Sequence, residues 1–248
     1  MFFRKVNAPP FQRADGRRAD QLRKLMLRKN PAPLASGSVL IGLGSTRVIC
    51  AVTMEEGVPR WMREQGTTGG WITAEYSLLP YSTTERTRRE STAGRIGGRT
   101  HEIQRMIGRC LRSVTNLDAL GPRTFWVDCD VLAADGGTRT AAVTGAYVAL
   151  RLAVRRLLRQ GVLDTNPIRD SLAAVSVGVV DGHALMDLCY EEDASAEVDL
   201  NVVMTGGGRL VEIQGTGERG PFSHRMLEKL LRLARKGVKE LLQTLDGI

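Results

Sequence analysis

Twice in this chain a pair of glycines runs straight into an arginine and a threonine at the head of an amphipathic stretch. The two segments are Gly97-Gly98-Arg99-Thr100 and, within Ala134 to Thr140, Gly136-Gly137-Thr138-Arg139-Thr140. Glycine enters backbone conformations closed to residues with a Cβ, so each pair shapes a turn and hands the chain to a helix. The missing Cβ also lets N–H groups point at a bound anion, and a helix N-terminus favours negative charge. Arginine adds a planar, permanently charged fork that fits phosphate oxygens. A cation in the first helical turn nonetheless opposes the helix dipole, by roughly a few tenths of a kcal/mol or more. An anion seated between dipole and guanidinium removes that conflict, so the doubled device points to a phosphate-handling site. Neither segment carries the Gly-Lys-Ser/Thr ending of a phosphate-binding loop, and neither fits the dinucleotide fingerprint. The expected anion is therefore not a nucleoside triphosphate bound in the familiar way.

Around these two starts the pattern is legible. Residues 1–12 read as a flexible extension and residues 13–248 as a single domain. Val39 to Val52 predicts a hairpin about Gly44-Ser45-Thr46, and Trp71 to Leu79 a strand after Gly66-Thr67-Thr68-Gly69-Gly70. From Tyr81 to Arg95 apolar residues nearly vanish, the composition of an exposed loop or ragged helix. Ile103, Met106, Ile107, Cys110, Leu111 and Val114 then recur at three- and four-residue steps. They predict a helix from Arg99 to Asn116, with Arg105, Arg109 and Arg112 on a separate basic face. Pro122 to Val131 reads as a strand, and Thr138 to Gln160 as a helix whose early small residues permit close packing on a sheet. Val175 to Leu188 predicts a hairpin about Asp181-Gly182, a type I′ signal, and Val198 to Ile213 another about Gly206-Gly207-Gly208. Ser223 suits the N-cap of a last helix burying Leu227, Leu230, Leu231, Ala234, Val238, Leu241 and Leu242. Both halves run strands then helix, so the class is α+β with mostly antiparallel pairing.

Residue type then limits the chemistry. Glu191-Glu192-Asp193-Ala194-Ser195-Ala196-Glu197-Val198-Asp199 gathers carboxylates in a chain of net charge +8. It reads either as a solvated acidic loop or as a working cluster. If the following strand is buried on one face, Glu197, Asp199 and Asn201 point the same way. Carboxylates so placed bind a hard divalent cation through oxygen or share a proton for general acid work. Arg86, Arg88, Arg89 and Arg95, followed by Arg105, Arg109 and Arg112, concentrate positive charge around the first glycine pair and suit a polyanionic backbone. Arg225, Lys229, Arg232 and Lys236 on the last helix read as a solvated face. His101, His183 and His224 have no Ser or Cys partner at a telling spacing. No nucleophilic triad is indicated, so the attacking group is water or a bound small molecule. Cys50, Cys110, Cys129 and Cys189 lack metal-ligand or redox spacing and suit a reducing compartment. With no signal-peptide core before Arg18 and no apolar run long enough for a bilayer, a cytoplasmic protein off the membrane is expected.

At these residues the chain resembles bacterial ribonuclease PH, a family of phosphate-dependent 3′→5′ exoribonucleases. The likeness covers almost the whole length. It rests on Glu55 to Arg60, Gly70 to Tyr76, Gly97 to Thr100, Glu102 to Arg105, Asp128 to Leu132, Ala134 to Thr140, Thr165 to Pro167 and Asn201 to Thr205. The resemblance implies two similar β-α halves in one domain and a homohexamer built as a trimer of dimers. It implies that inorganic phosphate attacks the last phosphodiester of an RNA 3′ end, releasing a nucleoside diphosphate, and that the reverse reaction adds nucleotides. Arg99 then clamps the phosphate, and Gly137, Thr138 and Arg139 form the second phosphate-binding segment. Asp193 and Asp199 match the catalytic aspartates, which bind Mg²⁺ (or Mn²⁺) and assist proton transfer. Arg86, Arg88, Arg89 and Arg95 line the RNA path or a subunit contact. The implied substrates are precursor tRNA and structured ribosomal RNA 3′ ends. Two departures, the extension through Phe11 and about two extra residues before Trp71, touch none of these positions. Two rivals are a non-catalytic ring subunit of the exosome-core type and a hydrolytic nuclease. Against the first, every matching position is filled; against the second, water needs no anion cradle.

Overall fold

In this computed structural model, which describes residues 12–92, 94–245 and 247, strand β1 (Leu25–Lys29) leads into the hairpin of β2 (Gly37–Leu43) and β3 (Thr46–Glu56). The extension expected at residues 1–12 falls outside the described residues except for its last one. Val39 faces Cys50 and Ile41 faces Val48 across the hairpin, and all four side chains are buried, as the alternation requires. A short helix α1 (Arg60–Glu64) precedes β4 (Trp71–Leu78), and a long irregular segment then leads to α2 (Gly98–Ser113). β5 (Arg123–Ala133) completes a sheet ordered β1-β2-β3-β5-β4, antiparallel except where β4 runs parallel to β5.

Helix α3 (Thr138–Arg159) packs on this first sheet and on a second one. Small residues make the close approach, as expected: a Cβ on Gly145 would lie 2.6 Å from Cys50 Sγ and 2.7 Å from Ile41 Cγ2. The second sheet follows from β6 (Leu172–Val180), β7 (His183–Met186), β8 (Val198–Thr205) and β9 (Leu210–Gly217), ordered β7-β6-β8-β9 and wholly antiparallel. All nine residues of β6 are buried, which requires cover on both faces. Helix α3 supplies one contact and α5 (His224–Leu245) another, with Ser223 Oγ accepting the Met226 amide at 3.2 Å as its cap. The β6–β7 turn holds Asp181 at φ 47° and Gly182 at φ 71°, as the type I′ signal implies. One apolar core runs through both sheets.

Three details depart from the sequence pattern. Helix α2 stops at Ser113 rather than Asn116, because Thr115 Oγ1 bonds back to the Leu111 carbonyl (2.8 Å) and the Asn116 amide goes to Pro167 O (2.7 Å). Strand β1 and helix α1 are additional elements. The acidic run leads into β8 as expected, but its first part is a helix, α4 (Tyr190–Ser195), closed by a Glu192 carboxylate that accepts the Cys189 amide at 3.0 Å. Among the described residues, no helix is long and apolar enough to cross a membrane.

Candidate active site

The head of α3 is the most constrained backbone of the site. Gly136 (φ 70°) and Gly137 (φ 63°) both lie in the left-handed region. A Cβ on Gly136 would sit 2.6 Å from Leu188 O and 2.8 Å from Tyr190 N, so this loop lies flush against the chain entering α4. Thr46 Oγ1 fastens the loop by donating to Gly136 O (2.7 Å) and accepting the Asp135 amide (3.0 Å). Gly137, as N-cap, brings no side chain to the first amides, and the first turn holds no acidic residue. Among the described residues, no side chain claims those amides, and a helix head left so favours an anion. Thr138 Oγ1 is held by the Tyr76 hydroxyl at 2.8 Å, and Arg139 Nη1 by Gln214 Oε1 at 3.0 Å.

The head of α2 is built differently. Gly97 is extended (φ −68°), and Glu90 reaches back from the arginine-rich segment. Its Oε1 accepts the Gly97 amide at 3.2 Å and the Thr100 hydroxyl at 2.8 Å. The expected conflict between Arg99 and the α2 dipole is thus relieved by a carboxylate of the protein itself. Arg99 is left exposed, and its charge acts on the buried Tyr76 hydroxyl and on Asp193, as does that of Arg139. The two glycine-pair segments therefore converge on one site: α3 contributes its amides and Arg139, α2 contributes Arg99.

Opposite them stand Asp193 on α4 and Asp199 on β8. Burial pushes the Asp199 carboxyl from 3.8 up to about 6, helped by the neighbouring charge of Asp193 and opposed by Arg139. Asp193 is also raised by burial, with Arg99 and then Arg139 pulling it back. Asp199 Oδ2 accepts the Asn201 side-chain amide at 3.1 Å, while Oδ1 is buried without a hydrogen-bond partner. The expected alignment of Asp199 with Asn201 is present. Glu197 instead turns to cap the β6–β7 turn through the Gly182 amide, at 2.8 Å.

The other predicted cations divide. Arg86, Arg88, Arg89 and Arg95 are exposed on the segment that joins β4 to α2; burial raises the Asp130 carboxyl, and the charge of Arg89 opposes that rise. Arg109 and Arg112 do not belong with them. Arg109 makes a two-pronged pair with Glu212 (2.7 and 2.6 Å), tying α2 to β9. Arg112 donates to Ile72 O at 2.7 Å and lies over the Trp71 ring, 4.3 Å from its centre. Helical spacing showed both on a basic face; it could not show partners from other elements. Lys236 likewise pairs with Asp20 rather than standing free. Tyr76 and Glu90 have no sequence signal of their own as site residues, since each is defined by a contact made across the fold.

Two family models match the sequence: the 3′ exoribonuclease family, domain 1, over residues 21–155, and domain 2 of the same family over residues 170–237. Ribonuclease PH of Halalkalibacterium halodurans is 55% identical over 232 residues, covering 93% of this chain and 90% of that protein. Ribonuclease PH of Bacillus subtilis is 54% identical over 231 residues, covering 93% and 94%. Among solved structures, rice (Oryza sativa) Rrp46 superposes with a TM-score of 0.76 at 21% identity, covering 94% of this chain and 98% of that one. An Archaeoglobus fulgidus exosome with RNA bound to the active site gives 0.77 at 22% identity, covering 94% and 92%. These two structures share the fold.

Proposed function

The chain belongs to the 3′ exoribonuclease family, and on that premise we propose how its residues divide the work of a phosphate-dependent 3′→5′ exoribonuclease that trims precursor tRNA. The observation that carries the reading is the meeting of Arg99 and Arg139 with Asp193 and Asp199 at the uncapped head of α3. Inorganic phosphate sits on the amides of Gly137, Thr138 and Arg139, between the Arg99 and Arg139 guanidiniums. Attack on the last phosphodiester brings two anions together, so fixed positive charge aimed at that point lowers the barrier. The P–O bond to the preceding 3′ oxygen breaks, that oxygen takes up a proton, and a nucleoside diphosphate leaves. Burial raises both the Asp193 and the Asp199 carboxyl, and the pair assists that proton transfer to the departing oxygen. The reverse reaction adds nucleotides.

The donor set fits a hard divalent cation. Among the described residues, no cluster of three or more His, Cys, Asp and Glu could hold a metal. Asp193 and the unpartnered Oδ1 of Asp199 offer the one or two carboxylates with which Mg²⁺ is usually held beside substrate phosphates. Bound there, Mg²⁺ or Mn²⁺ would supply positive charge against the phosphate oxygens. The exposed Arg86, Arg88, Arg89 and Arg95 track the RNA backbone, and structured ribosomal RNA 3′ ends are also substrates. The chain assembles as a homohexamer of three dimers and works in the cytoplasm, where its four free cysteines stay reduced.

The test is degradation of a tRNA bearing a short 3′ tail, with and without inorganic phosphate. Nucleoside diphosphates released only with phosphate are expected, and replacing Arg86, Arg88 and Arg89 by Ser should flatten the salt dependence of tRNA binding. Monophosphates released without phosphate would make the enzyme a hydrolase. Binding without release would make it a non-catalytic ring subunit.

A further inference from the structure

The helix that carries Asp193 and the loop that opens α3 are distant in sequence, yet a buried ion network from the start of the described chain joins them. Arg23, whose side chain is 4% exposed, grips the Asp187 carboxylate through Nη2 (2.7 Å) and Nε (3.0 Å), while its backbone amide takes the same carboxylate at 2.7 Å. The other side of the guanidinium donates to the carbonyls of Asp135 and of Gly136 (3.3 Å), directly before Gly137. Asp187 is 1% exposed and held in the left-handed region (φ 56°) between β7 and α4. The Asp187 carbonyl accepts Arg13 and Arg17, each at 2.9 Å. Arg13 then forks onto Glu192, the neighbour of Asp193, at 2.7 and 2.5 Å.

We propose that Arg23 and Arg13 are positioning residues of the reaction: through Asp187 and Glu192 they lock the phosphate-binding loop and the Asp193 helix at a fixed separation. The inference rests on the site assigned above. It follows from where the forks end. Arg23 spends one edge on a carboxylate beside α4 and the other on main-chain oxygens of the anion loop, so neither can move without breaking bonds to the same planar group. Helix α4 runs only from Tyr190 to Ser195 and cannot hold Asp193 rigidly by its own hydrogen bonds. A displacement of about 1 Å between reacting groups costs on the order of 100-fold in rate. Lysine cannot reproduce the device, because a point charge reaches one partner where the fork reaches both.

The measurement is kcat and the KM for phosphate on the tailed tRNA, alongside Tm and tRNA affinity, for Arg23→Lys and Arg13→Lys. Arg23→Lys should raise the KM for phosphate about tenfold or more and lower kcat, with tRNA affinity within about twofold of wild type. Arg13→Lys, which loosens the Glu192 side, should lower kcat about tenfold with little change in that KM. If Arg23→Lys does not fold, the Arg13→Lys result decides. Folded variants with lowered Tm but wild-type kcat and KM would show a merely structural network and overturn the proposal. Arg99→Ala and Asp193→Asn serve as controls. If both stay fully active, the site assignment falls and the positioning role with it. If both are dead while the lysine variants are normal, the site stands and only the positioning role falls.

Discussion

At the head of α3, two left-handed glycines lead into amides that no side chain caps, and the loop that carries them is bonded to Thr46, Arg23 and the chain entering α4. At the head of α2, an extended glycine is followed by an open position, and Glu90 already occupies the place an anion would take. The local sequences are near-duplicates, Gly-Gly-Arg-Thr and Gly-Gly-Thr-Arg-Thr, but their jobs differ. In the proposed function one helix start is a receptacle and the other a mount for Arg99. A helix N-terminus is a binding site only when no group of the protein has claimed it first.

The contrast breaks most sharply at the glycines. An alanine at Gly136 would need a positive φ and a Cβ 2.6 Å from main-chain atoms of Leu188 and Cys189, none of which can give way cheaply. Gly136→Ala should cost roughly 2 kcal/mol or more in stability and about 100-fold or more in phosphorolysis, through displacement of the cradle. Gly98→Ala meets nothing within 4 Å. It should leave activity within about twofold and stability equal or up to ~1 kcal/mol higher. Denaturant unfolding and phosphate-dependent turnover measured side by side decide the matter. Equal damage from both substitutions would make the two starts equivalent and the comparison empty.

The carboxylates give the next test, since Glu90 is satisfied by α2 while Asp199 Oδ1 is buried without a hydrogen-bond partner. Burial lifts the Asp199 carboxyl from 3.8 to about 6. Above pH 6 the folded protein therefore carries an ionised group it disfavours, and below pH 4 it does not. The sign follows: stability contributed by this group falls as pH rises from about 4 to 6. The penalty is at most ~3 kcal/mol, and residual solvent reduces it to roughly 1–2 kcal/mol. In buffer free of divalent cations, Asp199→Asn should melt higher than wild type at pH 7, by roughly 2–8 °C. The gap should close as pH is lowered to 4, and activity should be lost throughout. A variant that melts lower than wild type at pH 7 would show that Asp199 is not under electrostatic load.

Much of this was legible in the chain. The strands and long helices follow hydrophobic period, so the hairpins at Gly44 and Asp181-Gly182 and the stripe from Ile103 to Val114 fall where expected. Of the proposed site residues, Arg99, Gly137, Thr138 and Arg139 lie in the doubled glycine pattern, while Asp193 and Asp199 are singled out from the acidic run by the family resemblance. What stayed hidden depends on contacts between remote residues. Spacing cannot tell that Arg109 ends on Glu212, that Arg112 lies over Trp71, or that Arg23 grips Asp187, because an exposed cation and a paired one look alike in the sequence. Strand β1 is short and mixed in burial, so its alternation is weak. Helix α4 hides in a run of acids whose capping carboxylate, Glu192, reads as one more surface charge.

The smallest expected effect concerns Glu90 itself. Glu90→Gln keeps an oxygen to accept the Gly97 amide and the Thr100 hydroxyl but removes the negative charge at the head of α2. Loss of charge at a helix N-terminus costs roughly 0.3–1 kcal/mol at low salt, which for a chain of this size is about 1–4 °C in Tm. The difference should shrink as salt is raised, because the interaction is screened. With one anion fewer beside Arg99, the KM for phosphate should stay level or fall, by up to about twofold. A KM that rose tenfold would mean that the α2 head, with Glu90 in place, is itself part of the phosphate receptacle, and the division of labour between the two helix starts would have to be redrawn.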